Sequence, residues 1–266
     1  MERRELGKTG EKVPVLGMGT WQVGDSQDER SSEIQALRKG IGLGMNMIDT
    51  AEMYGYGKAE SLVGQTIKGI RDDVFVATKA SPENFGYDRL LASCEASIKR
   101  LGVKHIDLYQ LHWPSNSIPI QETMKAMEEL VSRGKVRYIG VSNFSVSQTT
   151  QAREALPRSE LTSNQVRYSL AHREIEGQLL PFCRKEKITV IAYSPLNVGR
   201  LTTSKIPSGL LEKYGMTPAQ IMLNWVTYDE DVVAIPKATN LQHIEEDAAA
   251  LNPRLSADDY RTLSKA

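Results

Sequence analysis

Short apolar runs alternate with longer amphipathic stretches along the whole chain. The runs are continuously apolar, as in strands buried on both faces, and parallel strands are buried in this way. Eight runs occur, at residues 15–18, 45–48, 74–77, 106–111, 136–141, 162–166, 188–192 and 232–235. Apolar residues at helical spacing occupy residues 29–43, 59–70, 88–101 and 121–132. The pattern predicts eight strands, each followed by a helix.

This alternation over 266 residues fits a (β/α)8 TIM barrel of the α/β class, with residues 1–266 as a single domain. An open doubly wound sheet is the competing architecture. Gly40, Gly42 and Gly44 follow a helix and precede a strand, which is the reverse of the order in a Rossmann fingerprint. Two segments lie outside the alternation. Residues 3–15 predict an N-terminal β-hairpin, and residues 197–215 predict a long loop of the kind that is often functional.

Composition and charge narrow the class of protein. The chain has 33 basic residues (Lys and Arg) and 33 acidic residues (Asp and Glu), so its formal net charge is zero. The overall charge therefore gives no electrostatic reason to expect a nucleic-acid partner. No apolar run approaches the ~18 residues of a membrane span, and the first residues lack a secretory signal. Cys94 and Cys183 cannot form a disulfide framework, and no cluster has metal-ligand spacing. We expect a cytoplasmic protein with no membrane partner and no metal site.

Polar residues follow the apolar runs at the predicted strand ends, where the active sites of such barrels form. They include a carboxylate at Asp49, a phenol at Tyr54, an ammonium at Lys79 and an imidazole at His112. Singly, each has an ordinary interpretation as a turn residue, a helix cap or a solvent-facing side chain. Their convergence on one rim of the barrel predicts chemistry there.

Several motifs resemble those of the aldo-keto reductase family. Residues 44–55, with Glu60 and Gly64, resemble its signature around a catalytic Asp and Tyr, and Thr78 with Lys79 resembles its third-strand lysine motif. Residues 107–114, 134–144, 192–196 and 235–237 are similar to further family motifs, in register over essentially the whole chain. The resemblance implies an NADP-dependent oxidoreductase that reduces aldehydes or ketones to alcohols.

The resemblance also implies catalytic roles for four residues. Tyr54 would donate the proton, and a nearby Lys79 would lower its pKa from the ordinary value of about 10. Asp49 would keep Lys79 charged and correctly aimed. His112 would hydrogen-bond the carbonyl oxygen and stabilise its developing negative charge.

For the cofactor, the resemblance implies stacking of the nicotinamide on Tyr193 and a phosphate contact at Lys237. The implied cofactor-binding set is Thr20, Trp21, Asp49, Ser142, Asn143, Gln165, Tyr193, Ser194, Leu196, Gly199, Lys237, Ala238, Thr239, His243, Glu246 and Asp247. His243 stands where the family has an arginine for the 2′-phosphate, and Asp247 stands where asparagine is common. Because imidazole is a poorer phosphate clamp than guanidinium, we expect NADP(H) to be preferred and NAD(H) to be possible.

The implied substrate pocket consists of Trp21, Tyr54, Tyr56, His112 and Trp113. A chain that ends at Ala266 has no long C-terminal loop, so we expect a wide pocket for small aldehydes, aldoses or dicarbonyls. The alternative is a cofactor-binding regulatory or sensor module with little catalysis, and a metal-dependent barrel hydrolase or isomerase is a third interpretation. We expect a small-molecule carbonyl substrate and a monomer or weak homo-oligomer.

Overall fold

All eight predicted strands are present in one parallel sheet, after an antiparallel hairpin. The computed structural model describes residues 1–200 and 203–265, apart from the side chain of residue 205. The hairpin consists of β1 (Arg3–Glu5) and β2 (Lys12–Pro14). The sheet contains β3 (Met18–Gly19), β4 (Met47–Asp49), β5 (Phe75–Ala80), β6 (Ile106–Leu111), β7 (Val136–Ser142), β8 (Leu161–Arg167), β9 (Thr189–Tyr193) and β10 (Val232–Ile235).

The two edges of this sheet meet. A parallel bridge joins Leu16 to Ala234, and the Gly17 N–H donates to Ala234 O at 2.8 Å. Further along, the Gly19 N–H donates to Pro236 O at 2.9 Å. These bonds join the first strand segment to β10, so the predicted (β/α)8 barrel is confirmed and the open doubly wound sheet is excluded.

Helices alternate with the strands and surround the barrel. They are α1 (Arg30–Gly42), α2 (Lys58–Ile67), α3 (Tyr87–Leu101), α4 (Ile120–Ser132), α5 (Val146–Glu154), α6 (Leu179–Glu186), α7 (Ser208–Tyr214), α8 (Pro218–Val226), α9 (Leu241–Ala249) and α10 (Ala257–Lys265). Thr217 caps α8 in a reciprocal capping box with Gln220. Within the described ranges, no helix is both long and apolar enough to cross a membrane.

Helix α7 lies within the segment that the sequence predicts as a loop. Pro207 precedes its first turn, Leu210 is its buried residue, and Gly215 ends it in the left-handed region with a φ of 61°. A helix of 7 residues spans only two turns, which is too short for apolar periodicity to distinguish it from a loop. Residues 201 and 202 of the predicted loop lie outside the described residues.

The N-terminal hairpin closes the end of the barrel at which the strands begin. Leu6 and Val13 are fully buried and form one apolar cluster with inward-facing strand residues. Gly7 has a φ of 58°, and a Cβ there would lie 3.1 Å from Thr162 O, so the turn requires glycine. The Arg4 guanidinium donates to Thr227 O at 2.7 Å and thereby ties the hairpin to the barrel.

The open end of the barrel receives polar side chains because strand residues alternate between two faces. On β5, Phe75 belongs to the inner apolar cluster, and Lys79 lies four positions further on the same face. On β6, Leu108 belongs to that cluster, Gln110 follows it by two positions, and His112 continues the same spacing directly after the strand. The strand period therefore places an apolar layer below and a polar layer above it.

Candidate active site

A cavity of about 860 Å³ opens at the carboxyl ends of the strands. Of the residues that the sequence predicts for the site, those that line it are Thr20, Trp21, Asp49, Tyr54, His112, Trp113, Ser142, Asn143, Gln165, Tyr193, Ser194, Leu196, Gly199, Lys237, Ala238, His243, Glu246 and Asp247. The structure therefore brings most of the predicted catalytic, cofactor and substrate residues to one cavity.

Three predicted residues do not line this cavity. Lys79 is fully buried behind the wall, while Thr239 lies beyond the lining segment that ends at Ala238. Tyr56 is 99% exposed and projects into solvent, which corrects its placement in the substrate pocket. Gly55 and Tyr56 both have positive φ angles, 55° and 54°, and this left-handed turn before α2 separates Tyr56 from Tyr54.

Lys79 links an acid and a phenol at the base of the cavity. Its Nζ donates to Asp49 Oδ1 at 2.5 Å, to Thr50 O at 2.9 Å and to the Tyr54 hydroxyl at 3.3 Å. Burial alone would lower the pKa of Lys79, but the Asp49 carboxylate and the Tyr54 hydroxyl outweigh burial and raise this pKa. The Lys79 ammonium therefore stays charged although it is fully buried.

The net pKa shift of Tyr54 differs from the sequence expectation. Burial raises the pKa of Tyr54, and the neighbouring Lys79 ammonium only partly opposes that effect because the Asp49 carboxylate also raises it. The expectation of a lowered pKa is therefore wrong in its net direction. A phenol with a raised pKa remains protonated at neutral pH, which is the state that a proton donor requires.

The His112 ring is a neutral neighbour of Tyr54. Its centroid lies 5.6 Å from the Tyr54 ring in an edge arrangement and 3.9 Å from the stacked Trp113 ring. Burial, with a smaller effect of Lys79, lowers the pKa of His112 to about 2. His112 Nδ1 is buried and, within the described residues, has no hydrogen-bond partner. Because a buried atom cannot meet a ligand, Nε2 is the ring nitrogen available to one.

Hydrogen bonds hold the opposite wall of the cavity in place. The Tyr193 hydroxyl donates to Asn143 Oδ1 at 3.0 Å, and Asn143 Nδ2 donates to His112 O at 3.1 Å. The Ser142 hydroxyl donates to Gln165 O at 2.8 Å. Asn143 has a φ of 61°, a left-handed conformation that asparagine tolerates better than most residues. These contacts present a rigid aromatic face at Tyr193 beside amide groups.

Sequence reasoning missed several lining residues. These are Gly19, Gln22, Arg167, Pro195, Val198, Ala219, Ile235 and Pro236. Arg167 brings a cation to the wall, pairs in register with Tyr193 and donates to Asn197 Oδ1 at 3.2 Å. Because Arg167 follows Gln165 by two strand positions, the strand period was the signal that could have found it.

Helix α9 contributes the far end of the cavity. His243, Glu246 and Asp247 all line it from this helix, and Lys237 precedes the helix as an exposed cation. Burial, with a smaller effect of Glu246, raises the pKa of Asp247 to about 7. Asp247 therefore changes its charge near neutral pH.

Asp247→Asn should stabilise the fold more at pH 8 than at pH 5. Because the pKa of Asp247 rises on folding from 3.8 to about 7, the native state binds the extra proton and stability falls as pH rises through this window. Removing this titration should increase the free energy of unfolding by about 4 kcal/mol at pH 8 and by less than about 2 kcal/mol at pH 5, since one pKa unit corresponds to about 1.4 kcal/mol. Denaturant unfolding at both pH values measures the difference.

The exposed Asp28 provides the control, because Asp28→Asn changes the same chemical group outside the cavity. That variant should unfold like the original protein at both pH values. A stability gain of equal size at pH 5 and pH 8 for Asp247→Asn would contradict the titration of this carboxyl.

Comparison with known proteins completes the description of the site. The model of the Aldo/keto reductase family matches residues 15–266. Methylglyoxal reductase YeaE of Escherichia coli is 39% identical over 100% of this chain and 95% of its own length. The NADH-specific methylglyoxal reductase of E. coli is 30% identical over 97% of this chain and 96% of its own. An aldo/keto reductase from Klebsiella pneumoniae, solved with NADP and acetate, has a TM-score of 0.91 and 39% identity over 100% of this chain and 95% of its own.

Proposed function

The chain belongs to the aldo-keto reductase family, and from this premise we propose that it reduces small 1,2-dicarbonyl compounds in preference to aldoses. It is an NAD(P)H-dependent oxidoreductase that converts aldehydes and ketones to alcohols. Two relatives are named for methylglyoxal reduction, which supports a dicarbonyl substrate. The alternative of a regulatory module gains no support from these relatives.

The observation that carries the proposed mechanism is the contact of Tyr54 with a buried ion pair. In our proposal the Tyr54 hydroxyl delivers its proton to the carbonyl oxygen, and the Lys79 ammonium, 3.3 Å away, stabilises the phenolate that remains. Asp49 keeps that ammonium in place. His112 is neutral. It therefore donates a hydrogen bond from a ring nitrogen to the carbonyl oxygen and keeps its own proton.

The donor and acceptor groups of the cavity fit a nicotinamide dinucleotide. Tyr193 offers a half-buried aromatic face, Gln165 offers an amide beside it, and Lys237 offers a cation for the diphosphate. When bound, the cofactor supplies the hydride. We propose that it extends from Tyr193 towards His243 on α9, because the cavity runs without interruption between these elements.

The direct test is NADPH consumption by the purified protein with methylglyoxal, a simple aldehyde and an aldose. We expect the highest kcat/KM with methylglyoxal. A higher kcat/KM with the aldose would overturn the proposed substrate class. NADPH binding without turnover of any carbonyl would instead support the regulatory module.

His243→Arg should increase the preference for NADPH over NADH. We propose that NADP(H) is preferred and NAD(H) is used as well, as the NADP-bound and NADH-specific relatives together indicate. A guanidinium beside the 2′-phosphate adds a charge-assisted hydrogen bond, which should raise the ratio of kcat/KM values about ten-fold. The size-matched variant His243→Gln should not raise that ratio, and an increase of similar size in both variants would contradict a charge effect.

We also propose that the chain acts as a single domain, as a monomer or weak homo-oligomer in the cytoplasm. Its two cysteines, Cys94 and Cys183, are buried and unpaired, which suits a reducing compartment. Size-exclusion chromatography over a concentration range tests the oligomeric state. A dimer that persists on dilution would exclude a monomer or weak homo-oligomer.

A further inference from the structure

Gln110 is a buried amide in the barrel interior with no role in the mechanism above. It is fully buried on β6, two positions from Leu108 below and two from His112 above. Its Nε2 donates to Asp49 Oδ2 at 3.1 Å, and its Oε1 accepts from Gln165 Nε2 at 3.3 Å. An aliphatic side chain would fill this position without desolvating an amide, so packing alone does not account for glutamine.

Asp49 fixes the orientation of both amides. Its Oδ1 accepts from Lys79, and its Oδ2 accepts from Gln110 and, at 2.8 Å, from Gln165. An ionised carboxylate only accepts hydrogen bonds, so the NH₂ group of each amide must face it. Rotation of either amide by 180° would place two acceptor oxygens against each other.

The fixed orientation has a consequence at the cavity wall. Because Gln165 Nε2 is directed at Asp49 and Gln110, Gln165 Oε1 is the end of this amide left for other partners. Gln165 lines the cavity, and within the described residues no donor reaches its Oε1. The wall therefore presents a hydrogen-bond acceptor beside Tyr193.

We propose that Gln110 is a positioning residue that couples the Asp49–Lys79 pair to the cofactor wall. It holds the Asp49 carboxylate for Lys79 and keeps Gln165 Oε1 directed towards an N–H donor, the carboxamide of the nicotinamide. This inference rests on the proposed function. One hydrogen-bond network then serves both proton donation and cofactor recognition.

Loss of the Gln110 amide has a definite direction of effect. With one donor fewer on Oδ2, the negative charge of Asp49 is less dispersed and attracts the Lys79 ammonium more strongly. The ammonium then donates less to Tyr54, whose pKa rises. The charged or titratable groups that surround this network are Asp49, Tyr54, Lys79, His112 and Tyr193, and burial keeps His112 neutral by lowering its pKa to about 2.

The test compares the original protein with Gln110→Leu. For Gln110→Leu we expect a roughly ten-fold loss of kcat, which is the effect of losing one hydrogen bond to a charged group, with little change in carbonyl KM. The alkaline limb of the kcat profile for reduction should move to higher pH. The Kd for NADPH, measured by fluorescence without a carbonyl substrate, should rise several-fold because the Gln165 amide keeps its bond to Asp49 but loses its bond to Gln110.

Gln110→Glu provides a size-matched second variant. The introduced carboxyl donates to Asp49 only when it is protonated, and it repels Asp49 when ionised. Its kcat, relative to the original protein at each pH, should recover as pH falls and show one additional ionisation. If Gln110→Leu fails to fold, this additional ionisation decides the question.

Asn224→Leu is the matched control, because Asn224 is a fully buried amide on α8 that bonds Ala250 O at 2.8 Å, away from the cavity. It should lose stability without a change in the pH profile or in the Kd for NADPH. An unchanged profile and Kd in Gln110→Leu would overturn the inference and leave Gln110 a packing role. Absence of NADPH binding in the original protein would instead overturn the proposed function, and the inference with it.

Discussion

Tyr54→Phe should lower kcat for carbonyl reduction by about 10²–10⁴-fold, the range attributed to a positioned general acid. The substitution removes only the hydroxyl that accepts from Lys79 at 3.3 Å. The aromatic ring keeps its edge contact with His112, so the shape of the cavity should be retained. The loss should therefore appear in kcat and leave the Kd for NADPH nearly unchanged, since the missing hydroxyl bonds Lys79 and, in our proposal, the substrate.

The pH dependence of the unsubstituted protein tests the same role. Because the pKa of Tyr54 is raised, reduction should not decline until the pH exceeds the ordinary tyrosine value of about 10. Alcohol oxidation needs the phenolate and should increase with pH over the whole accessible range. A reduction rate that falls with a midpoint near pH 7 would indicate that another group donates the proton. For the Tyr54→Phe experiment, Tyr228→Phe is the matched control, because it removes a tyrosine hydroxyl elsewhere in the protein.

Lys79→Met should destabilise the fold and abolish most activity together. Lys79 and Asp49 are both buried, and Lys79 Nζ lies 2.5 Å from Asp49 Oδ1. Removing the cation therefore leaves an uncompensated carboxylate in the barrel. Breaking such a buried pair costs about 3–5 kcal/mol of the free energy of unfolding. Turnover should fall about 10²-fold or more, because the Tyr54 phenolate loses its stabilising charge.

A double-mutant cycle separates these two effects. Asp49→Asn combined with Lys79→Met removes both charges, so most of the unfolding free energy should return while kcat stays low. Lys99→Met, at an exposed position of α3, controls for the loss of a lysine. If the double variant is no more stable than Lys79→Met, the buried charge is not the cause of the instability.

Much of the fold follows from patterns that are local in the sequence. Continuous apolar runs overlap each strand from β3 to β10 because both faces of the barrel strands are buried, one by the interior and one by the helices. Helix α3 ends at Leu101, where the helical spacing over residues 88–101 also ends, and Gly102 follows it with a φ of 66°. Helix α7 escaped detection because its two turns bury a single residue, Leu210, and so carry no periodic signal.

The predictions for the site depended more on family motifs than on pattern. The motifs indicated Asp49, Tyr54, Lys79 and His112, and all four lie around the base of one cavity. Tyr56 is near Tyr54 in sequence, but the positive φ angles of Gly55 and Tyr56 place it on the other side of the turn. Sequence composition does not specify these angles, so the sequence alone could not predict this placement.

Electrostatic properties could not be predicted from residue types. The direction of the Tyr54 pKa shift depends on a balance between burial and two opposite charges, and the extent of burial is a property of the folded structure. The same holds for Asp247, whose environment raises its pKa to about 7. The sequence did not indicate a role for Gln110, because single polar residues are common in apolar strands. Its role depends on its hydrogen-bond partners, which only the folded structure shows.

The hairpin closes one end of the barrel and leaves the cavity at the other end. These two ends should differ in how well they tolerate amino-acid substitutions. The barrel is supported from below by Leu6, Val13 and the Arg4 contacts. The cavity mouth lies at the opposite end, where the lining includes Trp21, Trp113 and residues 194–196, 198 and 199. Trp21 and Trp113 are 49% and 39% exposed, so each presents a large part of its indole at the cavity mouth. Libraries that vary the mouth should therefore change the range of accepted carbonyls while the lower face preserves foldability.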